Sequence, residues 1–216
     1  MTTYVGSRVP RVDSVDKVTG HAIYGVDVAL PGMLHGAVVR SPYPHARIVA
    51  IDTSAAEKAP GVKAVVTGKD FPHLFGAAIK DQPFLAIDRV RYVGDPVVAV
   101  AATSEREAQY ARDLVRVEYE QLPAITDMRL ALADDAPLVH PDMHTYERGG
   151  HEIIPHTNCN TLYRYQRGDV EAAFAEADLV VEGEYSAHAV SHVALEVHVA
   201  VAQYDQFSGD YTLWVT

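Results

Sequence analysis

Two stretches of this chain carry the same local syntax, and that repetition constrains the fold more than any other feature. In the first, Ala46 to Ile51 is apolar and β-branched, Ser54 is followed three residues on by Glu57, Pro60-Gly61 interrupts, and Val62 to Thr67 resumes a strand pattern. A Ser with a Glu three positions later satisfies free N–H groups at a helix start, so this reads as a capping box opening a helix of barely two turns. In the second stretch, Pro96 opens the run Val97 to Ala102 and Ser104 pairs with Glu107. Ala108, Ala111 and Leu114 then line one helical face, and Val115, Val117 and Tyr119 alternate as strand residues do. A strand, a helix and a strand, twice within one region, predict an α+β or α/β domain over residues 20–131.

The flanking segments are less regular. Val5 to Gly20 is polar and turn-rich with isolated valines, and reads as an extended arm. Ala22 to Val28 and Leu34 to Arg40, broken at Pro31-Gly32, suggest two strands joined by a turn, the second ended by Ser41-Pro42. Leu132 to Thr157, rich in Asp, Pro and Gly and carrying His140, His144, His151 and His156, reads as a surface connector. Asp169 then caps a helix reaching about Ala177, with Val170, Ala173, Phe174 and Ala177 as its apolar side. Leu179 to Tyr185 resembles a strand, and Val190 to Tyr204 a longer one that turns at Ser208-Gly209 into Tyr211 to Val215. The expected division is an arm over 1–19, a domain over 20–131, a connector over 132–157 and a second unit over 158–216. That second unit reaches Thr216 with no closing sequence, so a partner is expected to complete it.

Charge and composition narrow the function. With 29 acidic against 18 basic residues the formal charge is -11, a field that repels phosphate backbones and argues against nucleic-acid binding. Cys159 is the one cysteine and cannot close an intrachain disulfide, and Met1 to Pro10 lacks the apolar run of a secretion signal. Both point to a reducing, cytoplasmic setting. Apolar stretches are interrupted before the roughly 20 residues a membrane helix requires, so no membrane insertion is expected.

The residue pattern from 190 to 201 is the most suggestive of chemistry. On an extended strand Val193, Leu195, Val197, Val199 and Val201 share one face, and His192, Ala194, Glu196, His198 and Ala200 the other. At 3.3 Å per residue, Glu196 and His198 lie about 6.6 Å apart and His192 about 13 Å from Glu196. Three readings remain open for this polar face: a wetted sheet face, a wall of a cofactor or substrate cavity, or part of a protein-only zinc site, whose two-ligand nucleus lacks zinc spacing. Cys159 reads as an inert thiol and the histidines of the connector as loop residues. Tyr92-Val93-Gly94-Asp95-Pro96 is a tight turn before a buried strand, without the G-x-G-x-x-G spacing of a dinucleotide loop. Arg40, His45 and Arg47 around Pro42 and Pro44 suggest a buried polar corner, and Arg167-Gly168-Asp169 a turn at a helix start.

Several of these phrases recur in a known order: VDSVDKVTG at 12–20, RSPYPHARI at 40–48, PGV at 60–62, VRYVGDP at 90–96, VEYEQLP at 117–123, GDVEAAF at 168–174 and HVALE at 192–196. Together they resemble the start of the molybdopterin-binding subunit of the xanthine dehydrogenase and aldehyde oxidase family. That resemblance implies an α/β hammerhead domain followed by an incomplete first portion of the molybdopterin-binding domain. It further implies a multi-subunit molybdenum hydroxylase in which a molybdenum-pterin cofactor oxidises an N-heterocycle, aldehyde or aryl-CoA type substrate. Oxygen comes from water, and electrons leave through a partner bearing [2Fe-2S] clusters, with FAD on a further partner. The implied partners are the remaining molybdopterin-binding chain, the [2Fe-2S] subunit and an FAD subunit, and the isolated chain is expected to be inactive. The family's glycine-rich pterin loop and glutamate base fall outside these residues. Val190 stands where some members place a glutamine near the molybdenum apical oxygen, and Val cannot donate that hydrogen bond. Val190, His192 and Glu196 are therefore candidate residues of the cofactor environment, and none is a catalytic or metal-ligating candidate. The alternative is a non-catalytic scaffold or assembly subunit of a redox complex.

Overall fold

The computed structural model describes residues 4–150 and 152–216. His151, read as one of the loop histidines, and the first three residues of the arm lie outside the described residues. In chain order the regular elements are α1 (Ser14–Thr19), β1 (His35–Arg40), β2 (Ala46–Asp52), α2 (Ser54–Glu57), β3 (Val62–Thr67), β4 (Leu74–Phe75), β5 (Gln82–Pro83), β6 (Arg89–Val90), β7 (Pro96–Ala102), α3 (Glu105–Leu114), β8 (Arg116–Gln121), α4 (Val170–Glu176), β9 (Ala200–Tyr204) and β10 (Tyr211–Val215). The chain divides into one unit of residues 32–180 and another made of residues 1–31 with 181–216.

In the unit of residues 32–180, β7 is the middle strand of a three-stranded sheet ordered β1-β7-β3, and a second sheet runs β6-β2-β8. Every pairing is antiparallel. The two strand-helix-strand repeats are therefore not parallel crossovers. α2 carries the chain from β2 in one sheet to β3 in the other, and α3 carries it back from β7 to β8. This is the α+β arrangement. Neighbouring Val97 and Val98 point to opposite faces and both are fully buried, as the middle strand of a covered sheet requires. With Ala46, Ala56, Val90, Val100 and Ala111 they form the main core. Each buried valine contributes roughly 1.5–3 kcal/mol relative to exposure.

Helix α3 is built as its sequence predicts. The Ser104 hydroxyl accepts from the Glu107 N–H at 3.3 Å and donates to the Glu107 carboxylate at 2.8 Å. Ala108 and Ala111 face the core, and the helix packs on β1 and β7. The first capping box does not form. Thr53, not Ser54, precedes α2, and its hydroxyl donates to Glu57 at 2.5 Å while Asp52 accepts the Ser54 N–H.

Residues 132–157 hold little regular structure, yet they are pinned rather than loose. The Asn158 side chain accepts from the Val139 N–H and donates to the Ala131 and Pro137 carbonyls, and Met143 is buried. Helix α4 is capped by Asp169, which accepts from the Ala172 N–H at 3.0 Å, but none of its residues is buried.

The unit of residues 1–31 and 181–216 departs most from expectation. Ser14–Thr19 is a helix closed by Gly20 in the left-handed conformation, not an extended arm. Ala22 to Val28 contains a short 3-10 turn at Gly25–Asp27 in place of a strand. The long strand begins only at Ala200, pairing with β10 from Ala200↔Val215 to Tyr204↔Tyr211, and residues 179–199 hold no regular element. A strand persists where a neighbouring strand takes up its backbone groups, and among the described residues no strand pairs with 179–199.

Candidate functional site

The strand that was to display Val190, His192 and Glu196 on defined faces is absent, and with it the face. Val193 sits at φ 46°, which breaks the alternation between His192 and Glu196. All three candidates are exposed, Val190 at 88%. Among the described residues no three His, Cys, Asp or Glu side chains converge as metal ligands. Val190 has no group to hydrogen-bond, and His192 and Glu196 stand in solvent. Cys159 is half-buried, its thiol donating to the Thr161 carbonyl at 3.5 Å.

The built site of the chain lies in the unit of residues 32–180, where two phrases read separately turn out to clasp each other. The Gly94 N–H donates to the Ser41 carbonyl at 2.8 Å, the Ser41 N–H to the Asp95 carbonyl at 2.9 Å, and Arg40 Nη1 to the Gly94 carbonyl at 2.9 Å. Gly94 adopts φ +93°, a conformation that favours glycine. The turn holds Asp95 inward, where its Oδ2 accepts the Arg91 N–H at 2.9 Å. Burial raises the Asp95 pKa, and the Arg91 N–H and guanidinium pull it back down. Of the expected polar corner of Arg40, His45 and Arg47, only His45 is buried, with Ser41 buried nearby, whereas Arg40 and Arg47 reach solvent and Arg47 pairs with Glu120 at 3.1 Å. His45 Nδ1 lies 2.7 Å from the Pro123 carbonyl, so that nitrogen carries the proton.

Beside this turn is a cleft of about 480 Å³ lined by Phe75, Asp81, Phe84, Arg91, Asp95 and His140, among others. Arg91 Nε donates to the Val139 carbonyl at 3.2 Å, fixing the connector as one wall. His140 is pushed down to about 4, first by burial and then by the Arg91 charge, so it is neutral at neutral pH. Its Nε2 is 4.0 Å from Asp81 Oδ2, and its Nδ1 3.3 Å from the Tyr146 hydroxyl. Phe75 and Phe84 stack with centroids 4.6 Å apart. In the sequence His140 is one loop histidine among several, and nothing singles out Asp81 or the Phe75–Phe84 pair. Asp81 and His140 are 59 positions apart, so no motif spacing links them.

Comparison with known proteins matches two segments of the chain. Residues 19–123 match the family described as aldehyde oxidase and xanthine dehydrogenase, a/b hammerhead domain, and residues 150–216 match the molybdopterin cofactor-binding domain. The chain is 39% identical over 203 residues to the nicotinate dehydrogenase large molybdopterin subunit of Eubacterium barkeri, covering 93% of this chain and 44% of that protein. It is 42% identical over 212 residues to a probable xanthine dehydrogenase component of Bacillus subtilis, covering 96% of this chain and 26% of that one. Among solved structures it superposes on reconstituted CO dehydrogenase from Oligotropha carboxidovorans with a TM-score of 0.82 at 35% identity, covering 98% of this chain and 27% of the other. The chain thus spans less than half the length of each of these relatives.

Proposed function

Because the chain belongs to the aldehyde oxidase and xanthine dehydrogenase family, we propose that it forms part of a multi-subunit molybdenum hydroxylase and works only within that assembly. In this reading the enzyme oxidises an N-heterocycle, aldehyde or aryl-CoA type substrate with water-derived oxygen. A [2Fe-2S] partner, with an FAD subunit beyond it, receives the electrons. The domain limits are those of the sequence: an arm over 1–19, the hammerhead domain over 20–131, a connector over 132–157 and molybdopterin-binding sequence over 158–216. A cytoplasmic location belongs to the same reading, supported by the single cysteine. No helix among the described residues is long and apolar enough to cross a membrane.

One observation carries the proposal. The segment matching the molybdopterin cofactor-binding domain leaves its large apolar side chains in water, with Val181, Val190, Val193, Leu195, Leu213 and Val215 all exposed. Apolar surface of that extent marks a face that further protein covers. The occupant is the remaining molybdopterin-binding chain, which covers these residues and supplies the groups that hold the cofactor. Val190, His192 and Glu196 then stand in the cavity wall, and no chemical step is assigned to them.

Native mass spectrometry of the untagged assembly, joined to metal analysis, tests this. The expected result is a heteromer containing molybdenum and iron, while a monodisperse single chain without molybdenum sinks the proposal. The exposure of Val190, His192 and Glu196 also favours a second reading, a scaffold that holds a redox subunit without approaching the cofactor. Their distance from the molybdenum centre in the assembled complex separates the two.

A further inference from the structure

The cleft beside the Arg91–Pro96 turn has a charge balance that selects a ligand. Two carboxylates and one guanidinium line it. Asp95 and Arg91 compensate each other: the Arg91 N–H bonds Asp95 Oδ2 at 2.9 Å, and the guanidinium charge acts on the same carboxylate. Asp81 is left over. Its side chain is 22% exposed, and among the described residues it accepts no hydrogen bond and has one ion contact, His140 at 4.0 Å. That imidazole is neutral at neutral pH, so it offers no counter-charge. A mostly buried carboxylate without a cation is costly unless something pairs with it. Phe75 and Phe84, which also line the cleft, stack on each other and remain 41% and 53% exposed as residues, so aromatic surface is left for a flat group. Ring faces attract cations, and a carboxylate takes a planar N–H fork through two parallel hydrogen bonds. At about 480 Å³ the space falls within the range of small-molecule pockets.

We propose that this cleft is a binding site for a small planar organic cation of the amidinium or guanidinium class, its N–H groups on Asp81 and its plane against Phe75 and Phe84. The site does not depend on the molybdenum reading, because every group it uses lies in residues 75–140. Benzamidine is the probe, with benzamide and benzoate as the neutral and anionic controls, titrated calorimetrically into the purified full chain at neutral pH. Benzamidine should bind, benzamide should bind at least ten times more weakly, and benzoate should not bind. Asp81→Asn should weaken benzamidine at least tenfold with the thermal unfolding midpoint no lower than that of the wild type, and Phe84→Leu should weaken it severalfold. Failure of benzamidine to bind at millimolar concentration, unchanged affinity in Asp81→Asn, or benzoate binding ahead of benzamidine would each overturn the assignment. The last of these would show that Arg91 is the free charge. If Asp81→Asn unfolds, Asp81→Glu serves instead, and affinity unchanged in that longer side chain is equally fatal to the geometry.

Discussion

Residues 96–121 and residues 179–215 are both rich in Val, Ala and Leu, and both carry the alternation of buried strands, yet they end in opposite states. In the first, Val97, Val98 and Val100 lie in a sheet whose other strands and helix α3 cover them completely. In the second, Leu195 is 103% exposed and none of the described residues is buried. The difference lies in what is available to pack against, not in composition. Strand β7 has β1 on one side, β3 on the other and α3 across its face. Among the described residues, 179–199 have no paired strand or covering helix, and β9 and β10 have each other. Hydrophobic periodicity records a capacity for burial, and a second surface converts it into structure.

The sharpest way to break this comparison is to place a charge at equivalent positions. Val98→Asp puts an unpaired carboxylate in a sealed core and should cost at least about 4 kcal/mol, abolishing the cooperative transition in chemical denaturation. Leu195→Asp should change the stability of the chain by less than about 0.5 kcal/mol while weakening the assembly proposed above. Equal destabilisation by both would show that residues 179–199 are packed after all.

Acid separates the regions next. His140 is held neutral by burial, its pKa lowered from its ordinary value to about 4. Between roughly pH 6.5 and 4 the unfolded chain binds this proton and the folded chain does not, so stability falls as pH falls through that window. The loss reaches about 3 kcal/mol at its lower end. The raised Asp95 pKa acts with the opposite sign. The clean measurement is therefore the difference between the wild type and His140→Gln in urea unfolding at pH 7 and pH 4.5, where the variant should lose the acid sensitivity. Residues 179–199, with no buried titratable group, should contribute nothing to it.

Glycines in left-handed turns give a smaller contrast. At Gly61, φ is +76° and an added Cβ would meet the Glu107 carboxylate, which Thr103 and Ser104 hold at the start of α3. Gly61→Ala should cost about 2 kcal/mol, from backbone strain plus the disturbed cap. Gly209 has a similar φ of +79° but open space around it. Gly209→Ala should cost about 1 kcal/mol, confined to the β9-β10 turn.

What could be read in advance divides along the same line. Strands β3 and β7 were legible to the residue, because their patterns are bounded by Gly61, Pro96 and Ser104 and their partners lie within the same unit. The switch of sheets across α2 and α3 was not legible, since side-chain period reports which way a residue points and not which strand lies beside it. Nor was the cleft, whose Asp81 and His140 meet through the pinning of the connector by Asn158 and Arg91. The candidates Val190, His192 and Glu196 depended on a strand that these residues do not form on their own.

The two capped helices carry the comparison down to its smallest measurable form. Ser104 and Asp169 each accept an N–H in the first turn of the helix they open. Helix α3 buries Ala108 and Ala111, so its first turn is coupled to the core; α4 buries nothing, so its cap supports only itself. Ser104→Ala should therefore lower global stability by about 1 kcal/mol, seen as a shift of the main unfolding transition. Asp169→Ala removes a bond of the same kind and should leave that transition in place, appearing instead as faster amide hydrogen exchange over Val170–Glu176. A shift of the main transition by Asp169→Ala would mean that α4 is held by contacts as firm as those of α3, and the contrast between the two regions would have to be redrawn on grounds other than burial.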